Sequence, residues 1–76
     1  MLKIIQSLVF RDDLDEGFYM VLTDKDKNGY YTYYTEFNLN TCYNNNKKFV
    51  SHSIIDEEIS TKIHNETVKK LKKGVL

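Results

Sequence analysis

GFYMVLTDKDKNGYYTYYTEFNL, residues 17 to 39, is the stretch whose reading decides the fold. Two runs of alternating side chains meet at Asn28-Gly29, a dipeptide that accepts positive φ at both positions and so fits the two-residue type I′ turn of a β-hairpin. With those two residues as the loop, Lys27 faces Tyr30, Asp24 faces Tyr33, Leu22 faces Thr35, Met20 faces Phe37 and Phe18 faces Leu39. Successive strand residues point to opposite sides of a sheet, so this register sorts the hairpin into two faces. Phe18, Met20, Leu22, Tyr31, Tyr33, Phe37 and Leu39 stand on one; Tyr19, Val21, Thr23, Tyr30, Thr32, Tyr34 and Glu36 stand on the other. The first set reads as core and the second as amphipathic surface.

Working toward the N-terminus, LKIIQSLVF (residues 2–10) alternates Leu2, Ile4, Leu8 and Phe10 against Lys3, Ile5, Ser7 and Val9. Its β-branched residues and the want of a capping residue ahead of them favour a strand. Paired with the hairpin, this strand sets Ile5 and Val9 beside Tyr19, Val21 and Tyr34. DDLDEG (12–17) is an acidic connection in which Gly17 supplies the freedom to re-enter a strand.

Past the hairpin, NTCYNNNKK (40–48) has the composition of a loop, its three consecutive Asn competing for backbone hydrogen bonds. FVSHSI (49–54) reads either as a short edge strand or as the approach to a helix. From Asp56 the period changes: Ile55, Ile59, Ile63, Thr67 and Leu71 recur every four residues, with Val68 beside them. Asp56, Glu57 and Glu58 occupy the first turn, Lys69, Lys70, Lys72 and Lys73 the last, and Gly74 follows as a C-terminal cap, all matching the helix macrodipole. The expected architecture is α+β: an antiparallel meander of three strands (about 2–11, 17–26 and 30–39), a fourth over 48–54 if it forms, and one C-terminal helix (about 56–73). The helix is expected across the Phe18/Met20/Leu22/Phe37 face.

The 76 residues are expected to make one domain. A chain this short buries only about 60% of its unfolded surface, so help from a partner or a second copy is expected. Net charge is zero, which argues against an acidic nucleic-acid mimic and against a dedicated basic binder. The sign is nevertheless uneven. Residues 1–24 set two cations against five carboxylates, and residues 47–76 set seven Lys against four carboxylates. One cysteine excludes an intrachain disulfide and a four-Cys zinc site. No charged-then-apolar leader and no apolar run of about 18 residues is present, so the expected setting is the cytoplasm and not a membrane. The absence of Pro, Ala and Trp and the ten-to-one excess of Lys over Arg point to an AT-rich source such as a low-GC bacterium or its phage.

Asp24-Lys-Asp26-Lys-Asn28-Gly29 reproduces the first half of an EF-hand calcium loop, with oxygens at positions 1, 3 and 5 and a turning Gly. The match then fails, because position 12 is Thr35, Glu36 comes one residue late, and strand-like residues follow in place of a helix. No metal or other cofactor is therefore expected. Cys42 with His52 or His64 suggests a thiol and a base, but no activating helix terminus, oxyanion hole or orienting group accompanies them, so no enzyme is expected. Asn65-Glu66-Thr67 matches a glycosylation sequon but falls inside the helix.

The tyrosines carry the functional reading. Tyr19, Val21, Tyr30, Thr32 and Tyr34, joined by Ile5 and Val9, form the expected partner-binding patch on the sheet face away from the helix, since Tyr offers a large contact area with a polar tip. The function class this points to is a small protein-interaction protein, a phage or mobile-element inhibitor that binds a host defence enzyme in the manner of anti-CRISPR proteins. A two-fold homodimer through the same face is expected of the free chain. The alternative is a single-stranded nucleic-acid binder that stacks bases on exposed Tyr and holds phosphates with Lys69 to Lys73. The third is a calcium module built on Asp24 to Asn28.

Overall fold

The computed structural model describes residues 5–10, 17–38, 43–44 and 47–76. Leu2 to Ile4, Arg11 and the acidic connection up to Glu16, Leu39 and Cys42 lie outside the described residues. The hairpin joins β2 (Gly17–Asp26) to β3 (Gly29–Asn38). Its turn sits one residue earlier than the Asn-Gly rule expects: Asp26 pairs with Gly29, and Lys27 and Asn28 are the two turn residues. Asn28 does not take positive φ; Gly29 does, at 130°. The Asp26 side chain explains the shift, because its Oδ1 accepts from the Asn28 amide at 2.7 Å and captures the turn.

Moving the turn by one residue moves every cross-strand pair by two. Phe18 therefore faces Phe37, Met20 faces Thr35, Leu22 faces Tyr33 and Asp24 faces Tyr31. The expected pairs are corrected, but a two-residue slip preserves side-chain parity, so the partition into faces stands. β1 (Ile5–Val9) pairs antiparallel with β2, with Ile5 opposite Thr23 and Val9 opposite Tyr19. Along its other edge β3 carries the two-residue β4 (Tyr43–Asn44) and then β5 (Lys48–Ile54). The segment left open between strand and helix approach is thus an edge strand. Register shifts interrupt its ladder to β3, and such bulges re-aim side chains. Phe49 and His52, three residues apart, consequently stack with ring centroids 4.7 Å apart.

The helix α1 spans Glu57–Lys73. Asp56 caps it, accepting from the Glu58 amide at 2.8 Å and the Ile59 amide at 3.4 Å. Gly74 closes it in the left-handed conformation, φ 74°. The buried stripe of α1 is Ser60, His64, Thr67 and Leu71, and not the full Ile55 to Leu71 row. At 3.6 residues per turn, a row of every fourth residue drifts about 40° per step, so Ile55 and Ile59 swing out to 81% and 50% exposure while Leu71 is fully buried.

That stripe lies on Val9 and Val21, with Tyr19, Tyr34 and Val68 packed around them. The expected docking of the helix on Phe18, Met20, Leu22 and Phe37 is therefore corrected: α1 covers the opposite face. The reason is in the stripe. Thr67 donates to the Ile63 carbonyl of its own helix, so His64 is the member that depends on the sheet, and setting it on a hydrocarbon face would orphan the imidazole at about 1–3 kcal/mol. The face that α1 takes offers the hydroxyls of Ser7, Thr23 and Thr32. The result is a two-layer α+β unit in which α1 covers one sheet face and, among the described residues, no helix or strand lies over the other.

Candidate functional site

The seven residues expected to bind a partner do share a face, but it is the covered one. Val9, Val21 and Thr32 are fully buried, Tyr30 is 8% exposed, and Ile5, Tyr19 and Tyr34 are partly buried. Tyr19 and Tyr34 meet edge to face at 6.2 Å. The expectation that Ile5, Val9, Tyr19, Val21, Tyr30, Thr32 and Tyr34 form an open docking patch, and a dimer seam, is corrected: the helix occupies that space.

Beneath the helix runs a chain of polar groups. His64 Nε2 lies 2.8 Å from Ser7 Oγ, its Nδ1 lies 2.8 Å from Thr23 Oγ1, and Thr23 Oγ1 lies 2.7 Å from Thr32 Oγ1. A neutral imidazole donates through one nitrogen and accepts through the other, and hydroxyls serve both roles. Burial holds the His64 pKa below its ordinary value, which keeps the ring neutral. The ring is fully buried and joins three elements. The sequence carried a signal for it: Ser60, His64 and Thr67 recur at helical spacing, and Ser7, Thr23 and Thr32 hold like positions on three neighbouring strands.

The open face holds the aromatic set. Phe10 and Phe18 approach to 5.4 Å, and Phe18 stacks on Phe37 at 5.2 Å with an 18° interplanar angle. At the other end, Tyr31 and Tyr33 lie nearly parallel, 6.3 Å apart, and Phe49 packs on Tyr33 at 5.4 Å. Leu8, Met20 and Leu22 fill the ground between the two clusters, following the β1–β2 register. Among the described residues no helix or strand lies over this face. Phe10 is 67% exposed, Phe49 49% and Leu8 48%; Phe18, Met20, Leu22, Tyr31 and Phe37 are partly buried, and Tyr33 and Thr35 are buried among them.

Charge gathers near the tyrosine end. Lys47 Nζ sits 5.0 Å from the centre of the Tyr33 ring, and the Tyr31 hydroxyl donates to Asp24 Oδ2 at 3.5 Å. Burial first, then the Asp24 carboxylate, raises the Tyr31 pKa above its usual 10.0. Tyr31, Tyr33, Phe49 and His52 line a hollow of about 320 Å³ that is edged by Asp26 and Lys47.

The remaining sequence candidates separate. Asp24 accepts from the Lys25 amide and Asp26 from the Asn28 amide, both at 2.7 Å, and both stand in a strand and hairpin, where an EF-hand has a loop leading into a helix. Among the described residues no group of three His, Cys, Asp or Glu could hold a metal ion. His52 stacks on Phe49, while His64 stands on the buried stripe of α1 against the other sheet face, so the two histidines serve different sides of the sheet. Thr67 of the sequon is buried and donates to the Ile63 carbonyl at 2.8 Å. No helix among the described residues is long and apolar enough to cross a membrane. Neither a family model, a curated protein nor a solved structure matches this chain.

Proposed function

We propose that this chain is a small protein-interaction protein that works by surface binding, without catalysis, through the open face of its sheet. The observation that carries the reading is the inverted placement of its apolar side chains. Phe10, Phe18, Phe37 and Phe49 stand on the uncovered side, whereas the fully buried apolar cluster under the helix is Val9, Val21 and Leu71. Aromatic residues are what protein interfaces concentrate at their centres. The narrower reading, an inhibitor from a phage or mobile element that occupies a host defence enzyme, rests on the chain's small size and AT-rich composition.

The parallel Tyr31 and Tyr33 rings with Lys47 above Tyr33 favour the single-stranded nucleic-acid reading as runner-up. Against it, Asp24 and Asp26 edge the same rings, and Lys69 to Lys73 ride on the helix, one layer away from them.

The test uses the tagged chain and its Phe49→Lys and Ile55→Lys variants as bait in a low-GC bacterial lysate, with cross-linking and mass spectrometry. Anisotropy with a labelled oligo-dT runs in parallel. A protein captured by the wild type and by Ile55→Lys, but lost with Phe49→Lys, supports the reading. Oligo-dT binding that vanishes with Phe49→Lys, without a captured protein, replaces it by the runner-up.

A further inference from the structure

We infer that the open face is seated against a second copy of this chain, as a two-fold dimer of stacked sheets. The inference rests on the reading that this face is the working surface, and it names the occupant. The first argument is the mismatch between the two layers. Under α1 the fully buried side chains are Val9, Val21 and Leu71 together with Thr23, Thr32, Ser60, His64 and Thr67. That is a small apolar interior for a 76-residue chain, and a fold of this size is marginal without further burial. The opposite face carries a further reserve in Leu8, Phe10 and Phe49, each about half exposed or more, and a second copy supplies a matching reserve wherever the chain itself is present.

Size agrees. The molecule measures 37 × 23 × 18 Å, so a contact across its whole broad side would have a footprint on the order of 800 Å², the share each partner contributes to a standard interface. Stacked sheets pack about 10 Å apart with their strands within about 30° of each other. Aromatic and Leu or Met side chains are of the length that fills this gap.

Charge agrees as well. A two-fold contact must be self-complementary, and this face carries both signs on different strands, Asp24 on β2 and Lys47 at the entry to β5. An axis running parallel to the strands lays β5 of one copy over the β1–β2 side of the other. Each Lys47 then faces the Asp24 side of its partner, and the contact occurs twice.

Sedimentation velocity and light scattering of the pure chain, from low micromolar to millimolar concentration, test the dimer. The expected species has twice the 9.0 kDa chain mass. Phe49→Lys and Leu8→Lys change half-exposed side chains on opposite edges of the face, and each is expected to weaken the dimer about tenfold or more while the circular dichroism spectrum stays native. Should one of them fail to fold, the other and an unmutated measurement decide: isotope-filtered NOEs in a mixture of labelled and unlabelled chain. Contacts between copies at Phe18, Met20 or Phe37 support the inference, and contacts at Ile59 or Ile63 on α1 overturn it. A 9.0 kDa species at every concentration overturns it too; the protein-binding reading then survives only if Phe49→Lys still loses a captured protein.

Discussion

The covered and open faces of this sheet invert the usual division of labour. Under the helix lie the hydroxyls of Ser7, Thr23 and Thr32 around a buried imidazole, with a small apolar cluster at one end. On the opposite face lie Phe10, Phe18, Phe37, Tyr31 and Phe49 around a buried Tyr33. The difference teaches that a helix chooses its face by what its own buried stripe requires. Hydrocarbon tolerates exposure at about 25 cal/mol per Å², whereas a buried imidazole without partners loses its whole desolvation penalty at once. On the face that α1 covers, Ser7 and Thr23 give that imidazole a partner for each of its two nitrogens.

The largest effect that could break this contrast is at Leu71. Leu71→Ala empties a fully buried position and is expected to cost about 2–5 kcal/mol, whereas Leu22→Ala on the open face should cost clearly less when measured at a concentration that keeps the chain monomeric. Urea titrations of both variants check this. Equal losses would mean that the open face is as well covered as the other.

Next is Thr23→Val, which breaks the polar chain at its middle by removing the contacts to His64 and Thr32. A loss of about 1–3 kcal/mol is expected, because the imidazole nitrogen is left buried and unpaired. A neutral result would show that hydrogen bonding did not select this face.

Gly29→Val probes the end of the hairpin. Gly29 has φ 130°, and a Cβ there would lie 2.8 Å from the Ile54 carbonyl oxygen, so on the order of 1 kcal/mol or more should be lost. For a domain of this size that is a fall in Tm of about 4–8 °C.

A gentler test is pH. His64 has a folded pKa below the ordinary 6.5, so the unfolded chain takes up its proton first. Stability should be full above about pH 6.5 and decline as pH falls through that value toward the lower folded pKa. Thermal melts between pH 7.5 and 5 check the sign, and His64→Gln should flatten this part of the profile. The smallest effect is at Tyr31, where Asp24→Asn should bring the raised phenol titration back toward its usual range by removing the Asp24 contribution, though not that of burial. Ring carbon NMR shifts of Tyr31 follow it directly.

Much of the local structure was legible from neighbouring residues. Asp56 and Gly74 bounded the helix as capping chemistry predicts, and β2 began and ended where the alternating run did. The turn was misplaced by one residue because the Asn-Gly preference competes with an Asp26 side chain that captures the Asn28 amide. Parity absorbed that error and kept Phe18 with Phe37 and Tyr19 with Tyr34. The docking patch is not legible in the same way, because the apolar content of the sheet alone favours the other face and the partners of His64 lie on strands distant in the chain.

The sequence by itself thus determined the α+β class, the hairpin, the capped helix and which side chains share a face. All of these follow from backbone preferences and periodicities that act over a few residues. Only the tertiary structure decided which face the helix covers. That choice depends on Ser7, Thr23 and His64, which are far apart in the chain and acquire meaning when a β1–β2 register and a helix rotation bring them within hydrogen-bond distance. The same choice leaves the aromatic face without the helix, because one helix can cover one side of a sheet only.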